Sequence, residues 1–408
     1  MDRCQVCDGT DLKPGIFLGY LPPVNQMRPI GARPFEQPAY PAQWLFCTRC
    51  QLVQLGLIVD PRVLFPPDYP YSSGTTRILR ENFAELYQEY RTLLPLEAKD
   101  LVVDIGSNDG TLLANFQAGG HRVHGVEPTA MGDLANKRGI ATTIAFFGRE
   151  SAERVRSAEG PARLITATNV FAHIENIHDI VESILLLLRD DGVFVSESHY
   201  LVSLLETLQY DTIYHEHLRY YSLRSLSWLL GMHGLEVIHA KHIPTHGGSI
   251  RVYAARRGMH QVRPTVAEML AAEDKAGAMA DRLRDFERRV MMSKLALHAT
   301  VLDLKKQGAR IFGVGAPSRA STLINHVGLD EGMLECVVEV PGSHKVGKYM
   351  PGTLIPVVEE SRLFEAQPEY ALLLSWHIAD ELIPKLAAKG FHGRYLVPLP
   401  EPRVVERR

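Results

Sequence analysis

The stretch Leu101-Val-Val-Asp104-Ile-Gly106-Ser-Asn108-Asp109-Gly110-Thr-Leu-Leu113 decides how this chain is read. A short apolar run ends in an acid, turns through two glycines and re-enters an apolar pattern of helical spacing. That is the strand–turn–helix grammar of a nucleotide-cofactor site. Gly106 and Gly110 let the backbone turn tightly and approach a ligand with no Cβ in the way. The Gly-x-x-x-Gly spacing differs from the Gly-x-Gly-x-x-Gly of a dinucleotide fold, so a pyrophosphate cradle is the weaker reading. A second apolar run, His121-Arg-Val-His-Gly-Val126, ends in Glu127. A carboxylate at the tip of a second strand is placed to accept hydrogen bonds from both hydroxyls of a ribose.

Outward from this stretch the α/β alternation continues. A helix is predicted from about Thr76 to Leu94, ahead of the Gly-rich strand. After Glu127, 133–139 reads as a helix, 162–167 as a strand, 177–189 as a helix and 192–197 as the next strand. Alternating units of this length predict a parallel, doubly wound sheet with its ligand at the carboxyl ends of the strands. Asp104, Glu127 and Asn169 all fall on that side.

The first 75 residues have another texture, dense in proline and without helical periodicity. Cys4 and Cys7 form one Cys-x-x-Cys, and Cys47 and Cys50 form another. Four thiolates in two such pairs can close a tetrahedron around a structural zinc ion, which a small loop-rich module needs as a staple. A disulfide pair is the competing reading, disfavoured in a reducing cytosol. Cys336 stands alone and reads as an ordinary buried thiol.

With 408 residues, two or three domains are expected. A composition of 46% hydrophobic and 22% charged residues is that of a globular protein, and the net charge of −3 makes no electrostatic case for nucleic acid or membrane binding. The start of the sequence lacks the basic and apolar regions of a signal peptide, so a cytoplasmic location is the expectation.

From about Thr265 to Gln307 apolar residues recur at helical spacing, read as one or two bridging helices packed into a core, with a dimer seam as the alternative. Ala309-Arg-Ile-Phe-Gly313-Val-Gly315-Ala-Pro-Ser318-Arg319 is a second strand–Gly-turn–helix, followed by three strand-like runs. This predicts a second, smaller α/β domain. No ribose-binding acid stands out after its turn, so no redox cofactor is expected there.

The densest chemical cluster is Asp211-Thr-Ile-Tyr214-His215-Glu216-His217-Leu-Arg-Tyr220-Tyr221. His217 suits a general base near neutral pH if Glu216 or Tyr214 fixes its tautomer. A metal-binding His-x-His and a polar helix start with buried aromatics are the other readings. His246-Gly-Gly-Ser-Ile-Arg251 suits either a tight turn near an anionic ligand or a plain turn into a strand with Arg251 exposed.

Taken in order, these motifs, together with Tyr69-Pro-Tyr71-Ser-Ser-Gly74 and Asn169-Val-Phe-Ala-His173, carry a resemblance. The acid, the glycine turn and Glu127 resemble the S-adenosylmethionine (SAM) site of class I methyltransferases. The whole set resembles the SAM-dependent C-methyltransferases of branched deoxysugars, the 3-C-methyltransferase type acting on nucleotide-linked 4-keto sugars. The similarity runs over essentially the whole chain.

The resemblance implies a zinc module over 1–75, a Rossmann-like SAM domain over 76–260, bridging helices over 261–307 and a C-terminal Rossmann-like domain over 308–408. It implies SAM held by Asp104, Gly106, Asn108, Asp109, Gly110, Glu127 and Asn169. His217 would be the base, with Tyr214 and Glu216 orienting it, His173 facing the sugar, and Tyr69 or Tyr71 closing the pocket. His246, Arg251, Gly315, Ser318 and Arg319 would bind the substrate, the last three near the nucleotide phosphates. The expected partner is a small molecule, a keto sugar linked to a nucleotide, TDP by resemblance, with the protein a monomer or weak homo-oligomer. The alternative keeps SAM and methylates C, O or N of another small metabolite; a non-catalytic assembly protein would have no need of the intact cofactor turn.

Overall fold

Alternating apolar strands and amphipathic helices build three separate sheets. The computed structural model describes residues 1–33, 36–64, 77–94 and 96–406. The first sheet holds β1 (Leu12–Leu21), β2 (Tyr40–Cys47) and β3 (Val53–Leu55), paired antiparallel in that order.

The second begins with β4 (Leu101–Ile105), β5 (Arg122–Val126), β6 (Thr142–Thr143), β7 (Ala162–Thr168) and β8 (Leu188–His199). The chain then leaves this sheet. β9 (Arg219–Tyr220) pairs with β3, Val53 opposite Tyr220, and so completes the first sheet from the middle of the sequence. The chain returns as the hairpin β10 (Leu235–Ile243) and β11 (Ser249–Arg256). The resulting order is β10-β11-β8-β7-β4-β5-β6. Its β4, β5, β6, β7 and β8 are parallel, and β11 runs against β8. β4 is buried at every residue, as a central parallel strand covered on both faces must be.

β12 (Ile311–Val314), β13 (Cys336–Glu339), β14 (Val357–Glu359), β15 (Tyr370–Leu373), β16 (Arg394–Val397) and β17 (Arg403–Val405) form the third sheet, ordered β14-β13-β12-β15-β16-β17. All its pairings are parallel except the last.

Helices connect these layers. Arg77–Leu93 buries Leu79, Phe83, Leu86 and Tyr90, three to four residues apart, against the second sheet. The segment expected from Thr265 to Gln307 as one or two helices is two, Pro264–Lys275 and Met279–Lys306, split around Gly277 at φ 96°. The second buries Leu283, Phe286, Val290, Leu297 and Val301 in a core shared by the first and third sheets. Phe286 stacks on Trp44 of β2 at 5.4 Å. Each such fully buried large side chain contributes on the order of 2–3 kcal/mol of transfer free energy. That stripe is core packing.

Candidate active site

At the end of β4 the chain turns through Gly106 and Gly110, at φ 66° and 77°, before the helix Thr111–Ala118. A side chain at Gly106 would bring its Cβ to 2.5 Å from Val170 Cγ2. The Gly106 N–H donates to Val126 O at 2.8 Å, tying the turn to the tip of β5. Glu127 follows at once. Its carboxylate accepts from the Asn108 N–H (3.0 Å), the Thr129 N–H (2.9 Å) and the Thr129 hydroxyl (2.6 Å), so its orientation is fixed beside the turn.

Asp104 lies beneath, buried, accepting from Thr166 Oγ1 at 2.6 Å; burial pushes its carboxyl up to about 8. Asn169 follows β7 in the left-handed region, φ 57°, its N–H donating to Glu197 O. The backbone cradle and the strand-tip carboxylate fit SAM. Asp109 is 1% exposed and bound to Thr111 and Arg138, so it shapes the helix start.

At the same carboxyl edge stand four histidines. The segment Tyr214–His217 is pinned from two sides. Leu55 N–H of β3 donates to Leu218 O at 2.9 Å, and Leu218 N–H donates to Ala172 O at 3.0 Å. His217 Nδ1 lies 2.7 Å from Thr212 O. A carbonyl only accepts, so Nδ1 carries the proton and Nε2 is the basic nitrogen. The His217 ring lies 4.2 Å from that of Tyr214 and 4.9 Å from those of both His173 and His199. His246 is 5.5 Å from His199. Burial first, and then the neighbouring histidines, hold His217 and His199 well below the ordinary imidazole range; burial brings His173 and His246 down to about 4. Burial, with Glu216 next in effect, holds the Tyr214 phenol well above its usual range, so it stays a donor. The cluster is therefore a set of neutral imidazoles able to take or give protons.

Glu216 turns the other way and accepts from Asn25 Nδ2 at 2.7 Å. Nothing in this geometry uses it to fix the His217 tautomer; the Thr212 carbonyl does that. His215 faces the first sheet, beside Pro41 O and Tyr40. Tyr69 and Tyr71 lie outside the described residues.

The third sheet supplies the outer wall. Arg319, expected near phosphates, is instead committed to Asp211: Nε and Nη2 reach its two carboxylate oxygens at 2.8 and 2.7 Å, and Trp376 Nε1 donates to the same carboxylate at 2.7 Å. Arg319 is 6% exposed. Its cost of burial is met by this bidentate pair, which leaves no fork for a phosphate. Gly315, at φ 81°, and Ser318 do border the site, and Ser318 Oγ donates to Asn25 Oδ1 at 3.2 Å.

Arg251 is a further correction. It points away from the site, 0% exposed, into Glu197, Glu85, Glu89 and Asn82, and clamps the helix Arg77–Leu93 onto β8 and β11. Arg219 likewise grips backbone carbonyls of Ile174 and Glu175. His199, Asn25 and His377 were missed in the sequence. His199 had a signal, since it ends a strand on the ligand-facing edge. His377, held down at about 2 by burial, Arg319 and His246, had none.

The four N-terminal cysteines are buried, with ligand atoms all within 4.8 Å of one another. Cys4 Sγ lies 3.5 Å from Cys50 Sγ, and Cys7 Sγ lies 3.5 Å from Cys47 Sγ. A tetrahedron of thiolates about 2.3 Å from zinc has edges of roughly 3.8 Å. The set fits a structural zinc ion.

Three family descriptions match successive parts of the chain: "Putative zinc binding domain" over 4–65, "Methyltransferase domain" over 78–240 and "C-methyltransferase C-terminal domain" over 244–400. The C-methyltransferase NovU of Streptomyces niveus is 35% identical over 411 residues, 99% of this chain and 97% of the relative. The chain belongs to the SAM-dependent sugar C-methyltransferase family.

As a member of that family it is a SAM-dependent C-methyltransferase with a zinc-binding module. Among solved structures, a SAM-dependent methyltransferase from Anabaena variabilis is 17% identical, over 47% of this chain and 89% of that one, with a TM-score of 0.35. Magnesium protoporphyrin IX methyltransferase from Synechocystis PCC 6803, with bound SAM, is 12% identical over 43% and 79%, with a TM-score of 0.33. No helix among the described residues is long and apolar enough to cross a membrane.

Proposed function

We propose that this C-methyltransferase acts on a nucleotide-linked 4-keto-deoxysugar, with TDP as the nucleotide, and methylates the carbon next to the ketone. The observation that carries this reading is His217, a buried neutral imidazole whose Nδ1–H is spent on Thr212 O and whose Nε2 is free to take a proton. A nitrogen acceptor needs only positioning; a carbon acceptor needs such a base, and a neighbouring ketone makes the C–H acidic enough for it.

His217 Nε2 removes the proton, and the electron pair moves into an enolate. Tyr214, kept protonated, and His173 are the donors at hand for the developing oxyanion. When bound, SAM supplies an electrophilic methyl group on a sulfonium that departs neutral. Glu127 and the Gly106 turn orient that cofactor, and Glu216, steadied by Asn25, is available to the sugar hydroxyls. The assignment of domains to 1–75, 76–260, 261–307 and 308–408 belongs to the same proposal.

The test uses SAM with a deuterated methyl group and a panel of nucleotide-linked 4-keto sugars, read by mass spectrometry and NMR. The expected result is a labelled methyl on the carbon beside the ketone of one sugar. Intact SAM binding with no label on any sugar would overturn the acceptor.

A further inference from the structure

Two histidines of the site each carry a buried nitrogen that the protein does not satisfy. His246 Nε2 and His377 Nδ1 have no hydrogen-bond partner among the described residues. A buried polar atom left unpaired destabilises the chain that carries it, so two in one place call for a reason.

Both rings are held by built turns. His246 lies in the hairpin between β10 and β11, in the left-handed region at φ 55°, a strained setting for a residue with a Cβ. The glycines after it are locked. A Cβ on Gly247 would stand 2.7 Å from Gln209 Oε1, and one on Gly248 would stand 2.6 Å from Ser203 Cβ. Gln209 Nε2 donates to Gly247 O at 2.7 Å, and Gln209 Oε1 accepts from Arg319 Nη2 at 3.2 Å. Arg319 grips Asp211, which also accepts from Trp376 Nε1, and His377 follows Trp376 directly. One run of hydrogen bonds thus fixes the turn of His246 and, from the third sheet, the turn of His377.

The chemistry of the pair narrows what it can hold. Burial and Arg319 keep His246 neutral; burial, Arg319 and His246 keep His377 neutral. A neutral imidazole has one N–H and one lone pair, so two of them suit a group that donates and accepts at once. A hydroxyl does both, whereas a phosphate or carboxylate oxygen only accepts. The ring of His246 lies 5.5 Å from His199, whose ring is 4.9 Å from His217, so the pair stands two rings from the base.

Resting on the keto-sugar reading above, we propose that His246 and His377 clasp one hydroxyl of the acceptor sugar and so select acceptors by their hydroxyl pattern. The hydroxyl donates to one imidazole and accepts from the other. An acceptor without it leaves both nitrogens unpaired, and sites of that kind reject the deoxy analogue steeply.

The test measures kcat/KM for pairs of nucleotide-linked 4-keto sugars that differ by a single hydroxyl. Wild type is expected to prefer the hydroxylated member of one pair by about a hundredfold or more. His377→Leu should cut that preference at least tenfold, slowing the hydroxylated acceptor while the deoxy acceptor holds or improves. His377→Gln, which keeps a donor and an acceptor, should retain part of it, and both variants should bind SAM within twofold of wild type. A second measurement needs no altered chain in the bound state: in histidine-labelled wild type, the hydroxylated acceptor should shift the His377 ring signals by NMR and its deoxy partner should not. Equal losses on both acceptors in His377→Leu, a wild type indifferent to every hydroxyl, or an unmoved His377 signal would overturn the clasp. Wild type that binds SAM but methylates no nucleotide-linked keto sugar would instead sink the acceptor reading itself.

Discussion

Asn25 Nδ2 donates to Glu216 Oε1 across 2.7 Å, joining residues 191 positions apart. The contact carries the N-terminal module into the catalytic segment, and the Ser318 hydroxyl completes it from the third sheet. The N-terminal module, the Tyr214–His217 segment and the helix that follows β12 thus meet at one amide.

Asn25→Ala should lower kcat/KM roughly tenfold, because a buried carboxylate that loses a donor costs on the order of 1–3 kcal/mol. Glu216 is 3% exposed, so water cannot readily replace the amide. SAM affinity should hold, since the cofactor turn is built from other residues. Steady-state kinetics with calorimetry checks this; undiminished kcat/KM would place Asn25 outside the working site.

Arg319→Met should destabilise the fold by about 3–5 kcal/mol, the usual cost of leaving one partner of a buried ion pair alone. Asp211 is 0% exposed and loses two charge-assisted bonds, keeping only Trp376 and its backbone setting. The effect should reach the base as well, because Asp211 immediately precedes Thr212, whose carbonyl fixes the His217 tautomer. Denaturant melts of Arg319→Met and the double variant Arg319→Met/Asp211→Asn separate the two: the second change should restore part of the stability. No loss in the single variant would refute the clamp.

The legible parts of this molecule were those that one segment settles by itself. The Asp104–Gly110 turn declares a strand, a turn and a helix within a dozen residues, and two Cys-x-x-Cys pairs declare their ion. Tyr214 to His217 declared themselves by chemical density. Illegible were the choices made by packing. Arg251 sits on a strand whose polar side chain must face something. Only the docking of the helix Arg77–Leu93 determines that it meets Glu85 and Glu89 in the interior. Asn25 lies in a proline-rich stretch with no periodicity at all.

His217→Ala should abolish turnover, by at least a thousandfold, while SAM affinity stays nearly unchanged, because the base and the cofactor turn share no side chain. Equal loss of both in kinetics and calorimetry would sink the base assignment. In the wild type the depressed proton affinity of His217 keeps Nε2 available through neutral and mildly acid pH. The acid limb of kcat/KM should therefore lie below the ordinary imidazole value of about 6.5.

The same crowding sets how stability responds to acid. His173 and His246 titrate near 4 in the folded protein, against about 6.5 when unfolded. Below pH 6.5 the unfolded chain binds more protons, so stability falls as pH drops toward 4, by up to about 1.4 kcal/mol per pH unit for each such group. Denaturant melts from pH 7.5 to 5 should show this decline. His246→Asn should make it shallower, and a flat profile would contradict the buried, neutral cluster.

Cys47→Ser should release the zinc and, with it, the activity, although the metal takes no part in methyl transfer. The route is structural. Cys47 ends β2, which pairs with β3, and β3 pairs with β9 directly beyond His217. A loosened first sheet frees the Leu55 to Leu218 bond that holds the catalytic segment. The SAM turn, on another sheet, should keep its affinity. Metal analysis, SAM calorimetry and turnover on one preparation decide it. A zinc-free variant with full turnover would break the link between the ion and the base, and full zinc content would show that Cys47 is no ligand.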